Sequence, residues 1–225
     1  MFWLVEDNKQ LEVFKDYCKG DAFVEIIPYN SNNHPTQNKI CAIYIRPLNS
    51  TKGYMVTISH SETLNVELNA VKHVINNLNK VYVRDKKEFL HYLILKNLFD
   101  TTLNSPTYIP EYTKTHNYFY NKYPNKKDVN RVIPIVKHYE YCENLFNDLK
   151  NRINEPVNDF YNNRATVVFN AVERSGIRIN REKFESHFHP IDGEYAYTQY
   201  NFKTLTGRPS NKFKGVNYAA LNKDN

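Results

Sequence analysis

Apolar positions in the first half of the chain fall in short β-branched runs, and in the second half they fall at three- and four-residue steps. Asp21 to Pro28 (DAFVEIIP), Lys39 to Arg46 (KICAIYIR) and Tyr54 to Ser59 (YMVTIS) predict three successive strands. Turns rich in Asn, Ser, Pro and Gly separate them, which predicts a meander. Val66, Ala70, Val71, Val74, Ile75 and Leu78 then repeat at helical spacing, with Asn65 as the expected cap, so this helix is expected to cover one face of the sheet. Lys80 to Arg84 (KVYVR) predicts a fourth strand, about Lys86 to Lys96 a second helix, and Leu98 to Thr101 a short fifth strand. The expected order is βββαβαβ.

Residues 101 to 130 are rich in Tyr, Asn, Pro and Lys with little periodicity, and predict a long connector. From Val132 to Ile153, the apolar set Val132, Ile135, Val136, Tyr139, Cys142, Phe146, Leu149 and Ile153 predicts a long amphipathic helix, with Pro134 tolerated only in its first turn. A further helix is expected from near Pro156 to Gly176, followed by a strand at Ile177 to Ile179 and a helix of about two turns capped by Asn180. From Glu194 onward, Ala196, Thr198, Tyr200, Phe202 and Thr204 alternate with Tyr195, Tyr197, Gln199, Asn201 and Lys203, which is strand periodicity.

Composition narrows the classes. The 225 residues suffice for one domain with an appendage or for two small ones. With 41% hydrophobic residues a buried core is expected, and no apolar run approaches the ~20 residues of a membrane helix. The start, MFWLVEDNKQ, is acidic within seven residues and does not read as a secretory signal, so a cytoplasmic location is expected. Cys18, Cys41 and Cys142 are odd in number and scattered, which argues against a disulfide framework or zinc site and for core thiols. The net charge of +6 favours a polyanionic partner.

The strand from Glu194 delivers Thr204-Leu-Thr206-Gly207-Arg208-Pro-Ser210-Asn211. Gly207 permits a close backbone approach, Arg208 offers a planar fork of donors for phosphate or base edges, and Thr204, Thr206, Ser210 and Asn211 add short neutral hydrogen-bonding groups. Such a set suits a duplex backbone or minor groove read with little sequence preference. The segment resembles the T-x-T-G-R-[LP]-S-[SN] motif of family A (DNA polymerase I-like) DNA polymerases, followed by Gly215-Val-Asn217 where that family continues P-N. The resemblance implies primer-template DNA as a ligand, with Asn217 among the contacts.

Further local strings support it. KVYVRDKKEFL (80 to 90) lies over the second exonuclease motif of that family, FDTTL (99 to 103) over the FDT-x-L that follows, and Tyr139-Glu-Tyr-Cys-Glu143 over the third, Y-x-x-x-D. VERSGIRINREKF (172 to 184) resembles the helix-turn-strand that leads into the polymerase domain. The implied fold class is mixed α/β (α+β): a ribonuclease H-like 3'-5' exonuclease-type domain over residues 1–150, then, over 151–225, helices and a strand leading into a polymerase palm.

That exonuclease reaction uses two metal ions held by carboxylates. Here the first strand offers Glu25, with Ile27 where a second acid belongs; Glu88 falls on the second motif and Glu143 on the third. Each is a methylene longer than aspartate, and a displacement of about an ångström costs ~100-fold in rate. The expected reading is a degenerate domain, with Glu25, Glu88, Glu143 and Tyr139 as candidates only, no residue assigned as catalytic and no metal or cofactor assigned to this chain. Tyr139, whose family counterpart orients the attacking water, reads equally well as helix core.

Two departures shape the functional expectation. Only Phe188 to Gly193 separate the two polymerase-like elements, where the family has a thumb, and the sequence contains no palm or fingers segment. The expectation is a subunit or fragment of a replicative polymerase of phage type, located in the host cytoplasm. It would bind primer-template DNA and a second polypeptide carrying palm and fingers, where Mg2+ is expected. Glu194 to Thr206 would pair with that partner. The alternatives are a metal-dependent 3'-5' DNA exonuclease and a non-catalytic DNA-binding accessory protein. His187 and His189 as a metal pair, and Lys122 to Lys127 as a nucleic-acid contact, read more simply as surface residues.

Overall fold

The computed structural model describes residues 2–31, 33–95, 98–100, 129–153, 159–191, 193–202, 208–213 and 216–217, grouped in two compact units, 1–158 and 159–225. In the first unit, β1 (Trp3–Val5), α1 (Asn8–Tyr17), β2 (Ala22–Pro28), β3 (Ile40–Pro47), β4 (Tyr54–Thr57), α2 (Leu68–Asn76), β5 (Val81–Val83), α3 (Lys86–Tyr92) and β6 (Leu98–Asp100) are followed by α4 (Val129–Val132) and α5 (Ile135–Leu149). The six strands form one sheet in the order β1-β4-β3-β2-β5-β6. β2, β3 and β4 are the expected antiparallel meander, while β5 joins β2, β6 joins β5 and β1 joins β4 in parallel. The class is mixed α/β, and the path from β2 to β6 follows the ribonuclease H-like plan of three strands, helix, strand, helix, strand.

β2 is central, and its sequence reads as an almost unbroken apolar run because both faces are covered. Ala22, Val24 and Ile26 pack with Leu11, Phe14, Val71 and Phe89 on the side of α1, α2 and α3. Phe23 and Ile27 pack on the other side with Tyr44, Met55, Cys142 and Phe146, under α5. Phe23 is fully buried, which contributes ~2–3 kcal/mol. The three cysteines are free and buried, as expected of core thiols.

Several boundaries differ from the sequence reading, each for a local reason. β1 and α1 were not expected: β1 has three residues, and α1 buries only Leu11 and Phe14. Asp7 caps α1 by accepting from the Gln10 N–H at 2.8 Å. Asn65 is not the cap of α2, because its amide closes a loop with the backbone of His60 and Thr63, and the helix starts after Glu67. α3 stops at Tyr92 rather than near Lys96, since Leu93 is extended. The helix expected from Val132 is two pieces: Pro134 cannot donate and disfavours helical geometry at Ile133, so α5 starts at Ile135. The expected connector at 101 to 130 lies almost wholly outside the described residues, as do Lys122 to Lys127 and the start of the helix expected at Pro156.

In the second unit, a π-helical stretch, Phe160–Ala165, runs into α6 (Thr166–Ser175). Gly176, which ends the helix, has φ +66° and ψ 177°, a combination that residues with a side chain rarely adopt, and an added Cβ there would also meet the Tyr197 ring at 3.0 Å. β7 (Ile177–Arg178) and α7 (Arg181–His187) follow; Asn180 caps α7 as expected by accepting from the Lys183 N–H. The alternation from Glu194 does not make one strand. β8 (Tyr195–Ala196) pairs with β7, and β9 (Gln199–Asn201) pairs with β10 (Ser210–Lys212), both antiparallel. Within the segment expected to pair with a partner chain, Tyr195–Ala196 and Gln199–Asn201 are each paired along one edge.

Candidate carboxylate site and the Arg208 hairpin

Glu25 lies in the middle of β2, its side chain on the α5 face between those of Phe23 and Ile27. A carboxylate there is costly unless compensated. The compensation comes from Arg84, which follows β5. Its Nε–H donates to Glu25 Oε1 at 2.9 Å and its Nη2–H to Glu88 Oε2 at 2.8 Å. Glu88 stands in the first turn of α3, where its own N–H is taken by the Asp85 cap at 2.9 Å. Burial, only partly offset by Arg84, leaves the Glu25 carboxyl raised to about 7. Arg84 is held charged by Glu25 and Glu88 against the opposing effect of burial.

Glu143, on α5, is engaged elsewhere. Its Oε1 accepts from Tyr139 Oη at 2.7 Å, Tyr44 Oη at 2.9 Å and the Gly53 N–H at 2.8 Å, and Arg46 Nη1 reaches both carboxylate oxygens at 3.0 Å. Gly53 is required by space: a Cβ there would lie 2.3 Å from the Tyr44 ring. Burial first, and then Glu143, raise the Tyr44 and Tyr139 hydroxyls well above the usual tyrosine range, so both stay protonated as donors. Tyr139 is part of the packing as well, its ring 5.4 Å from Phe2 and 6.0 Å from Tyr44.

The structure therefore sorts the three sequence-predicted glutamates into two clusters. Glu25 and Glu88 share Arg84; Glu143 sits with Arg46, Tyr44 and Tyr139. Sequence reasoning missed both arginines. The Arg84–Glu88 pair was legible as an i,i+4 pair, but Arg84 to Glu25 and Arg46 to Glu143 join residues 59 and 97 apart and leave no local signal. A two-metal centre would supply an activated water and leaving-group stabilisation, and it needs carboxylates converging on shared cations. Glu25, Glu88 and Glu143 do not fit that requirement, since guanidinium groups already hold all three. Among the described residues, no three His, Cys, Asp or Glu side chains are grouped to hold a metal ion. His187 bonds the Lys183 carbonyl and the Ser186 hydroxyl, and His189 packs edge-on against Phe184.

The second candidate is the β9–β10 hairpin. Asn201 pairs with Ser210 and Tyr200 with Asn211. Arg208 and Ser210 are exposed, whereas Asn211 is buried and so forms part of the hairpin's packing. Thr204, Thr206 and Gly207 lie outside the described residues. Asn217 is exposed just beyond a bridge between Phe213 and Val216. Behind the hairpin, Phe169 of α6 stacks on Phe202 with ring centroids 5.3 Å apart, and the buried Glu173 carboxylate accepts the Tyr200 N–H.

Comparisons with known proteins place this geometry only loosely. No family model matches the chain, and no curated protein matches it. Among solved structures, the catalytic core of RRP6 from Trypanosoma brucei is similar at 18% identity with a TM-score of 0.40, over 60% of this chain and 39% of that one. Escherichia coli RNase D, an exoribonuclease, is similar at 8% identity with a TM-score of 0.43, over 68% of this chain and 45% of that one. The matched part thus spans less than half of either structure. Likenesses at this level decide nothing about activity; the sheet order and strand directions set the fold class. Among the described residues, no helix is long and apolar enough to cross a membrane.

Proposed function

We propose that this chain is the N-terminal part of a family A-type DNA polymerase, acting in DNA replication. Its exonuclease-like domain would serve as a non-hydrolytic scaffold, and its second unit would hold primer-template duplex and complete a polymerase site with separate palm and fingers sequence. The observation that carries this reading is the β9–β10 hairpin, which displays Arg208 within the T-L-T-G-R-P-S-N segment, two residues before β10 begins at Ser210. A short antiparallel hairpin fixes the spacing of polar groups on either side of its loop. An exposed guanidinium beside it would bridge phosphate oxygens without reading sequence.

The runner-up, a metal-dependent 3'-5' exonuclease, is disfavoured because Arg84 and Arg46 form ion pairs with all three glutamates it would use. Magnesium, in the favoured reading, belongs to the palm.

The test is primer extension with this chain and a family A palm-and-fingers polypeptide, singly and together, alongside a digestion assay on single-stranded DNA with Mg2+ or Mn2+. Extension only with both present, and no digestion, is the expected result. Extension by the palm-and-fingers polypeptide that this chain neither binds nor stimulates would overturn the polymerase reading; metal-dependent digestion lost in Glu25→Gln would establish the nuclease instead.

A further inference from the structure

A cavity of about 530 Å³ opens on the first unit between α1 and the outer edge of β1. It is distinct from both carboxylate clusters and unrelated to the polymerase reading. Its floor is aromatic: Trp3 lies 5.9 Å from Tyr54, which lies 4.6 Å from Phe14. Its wall is the side of α1 that carries Lys9, Val13 and Tyr17, at four-residue steps along one stripe. Trp3, Val13 and Tyr17 are 50%, 60% and 61% exposed, which is a large apolar display for neighbouring residues. β1 is the end strand of the sheet, with β4 on one side and no strand on the other among the described residues.

We propose that this cavity receives an extended segment of a partner protein, which adds to the outer edge of β1 and seats a large apolar side chain against Trp3, Val13 and Tyr17. The geometry of strand addition is specific. Trp3 and Val5 face the α1 side of the sheet, since they pair with Tyr54 and Val56 of that core face. A strand placed ~4.8 Å beyond β1 would direct alternate side chains into the space beside α1. Lys9 is the one lining residue charged at neutral pH, and among the described residues no ion pair engages it. An acidic residue in the incoming segment, at the end near the start of α1, answers that charge. Single-stranded nucleic acid is the poorer fit, because binding it requires a cationic groove that tracks successive phosphates and a lone lysine does not make one.

The experiment selects a displayed library of random short peptides on the intact chain, with counter-selection on Val13→Asp, and follows the enriched peptide by the fluorescence of Trp3, the chain's single tryptophan. The expected winners alternate apolar residues and carry an acid at one end, and they shift Trp3 emission to the blue. Val13→Asp or Tyr17→Asp is expected to weaken binding at least ~10-fold, as loss of a central apolar anchor does. Lys9→Glu is expected to weaken the acidic peptide ~3-fold and to favour its lysine-substituted counterpart. Circular dichroism of each variant must match that of the parent, and Val13→Thr serves as the mild substitution if either aspartate variant does not fold. Enrichment that ignores Val13→Asp, or winners that leave Trp3 unchanged, would overturn the proposal. So would a thymidine oligonucleotide that quenches Trp3 and displaces the peptide.

Discussion

Replacing Arg84 with methionine tests whether the guanidinium is the counter-charge that permits Glu25 in the core. Methionine keeps much of the apolar stem and removes both donors. The Glu88 side chain is 32% exposed and hydrates readily, so that end of the pair is worth only ~0.5 kcal/mol. The Glu25 side chain is 6% exposed, and stripping one partner from a buried pair costs ~3 kcal/mol. Glu25 can limit that loss by taking up a proton. Its folded pKa is already raised from 4.5 to about 7, so the native state binds this proton more tightly than the unfolded chain. The associated stability is complete below the unfolded value and is lost as pH rises through about 7. Without Arg84 the folded value climbs further. The variant is therefore expected to lose ~3 kcal/mol at roughly pH 8 but only ~1 kcal/mol at roughly pH 5.5, where the protonated acid needs no cation. Urea unfolding followed by Trp3 emission measures this. With a slope of ~2 kcal/mol/M, the midpoint falls by ~1.5 M and ~0.5 M respectively. Equal losses at the two pH values, or a loss under ~0.5 kcal/mol at the higher one, would refute the argument that Arg84 compensates a buried charge.

Three further outcomes are expected. Glu143→Gln turns an amide toward Arg46 and should cost ~2 kcal/mol, lowering the first unit's Tm by ~4–8 °C in calorimetry; an unchanged Tm would mean that the Arg46 contact is idle. Gly53→Ala forces a methyl into the Tyr44 ring and should destabilise by ~1–3 kcal/mol in the same measurement; a neutral result would contradict the close packing of that turn. Arg208→Ala should weaken duplex binding and reduce the slope of log affinity against log salt by ~1, read by fluorescence anisotropy at several salt concentrations; an unchanged slope would remove Arg208 from the phosphate contacts.

The meander was legible because DAFVEIIP, KICAIYIR and YMVTIS each carry a dense β-branched run, and β6 was legible from four residues because its neighbours are turn-like and polar. β1 and α1 were not, since Trp3–Val5 is a strand only by virtue of pairing with Tyr54–Val56, and α1 presents Val13 and Tyr17 where a purely amphipathic helix would be polar. The candidate site was legible as residue types and not as partnerships. Glu25, Glu88 and Glu143 could be named from the resemblance to the exonuclease motifs, but the arginines that Glu25 and Glu143 meet are brought from 59 and 97 residues away. Tyr139 and Glu143 are the exception: four residues apart on one helix, they were bound to meet.

The covering of the sheet by α5 also constrains how the chain is made. Phe23, Ile27, Tyr44 and Met55 are synthesised long before Tyr141, Cys142, Leu145 and Phe146, the residues that bury them. At ~5–20 residues per second, a ribosome leaves that apolar face bare for roughly 4–20 seconds after β4 has emerged. The α1, α2 and α3 side has no such delay, because its helices are interleaved with the strands they cover. A nascent chain arrested before residue 129 should therefore recruit a hydrophobic dye or a holdase chaperone, and one arrested well past residue 149 should release it. Release before α5 has emerged would mean that some other segment shields the sheet in the interval.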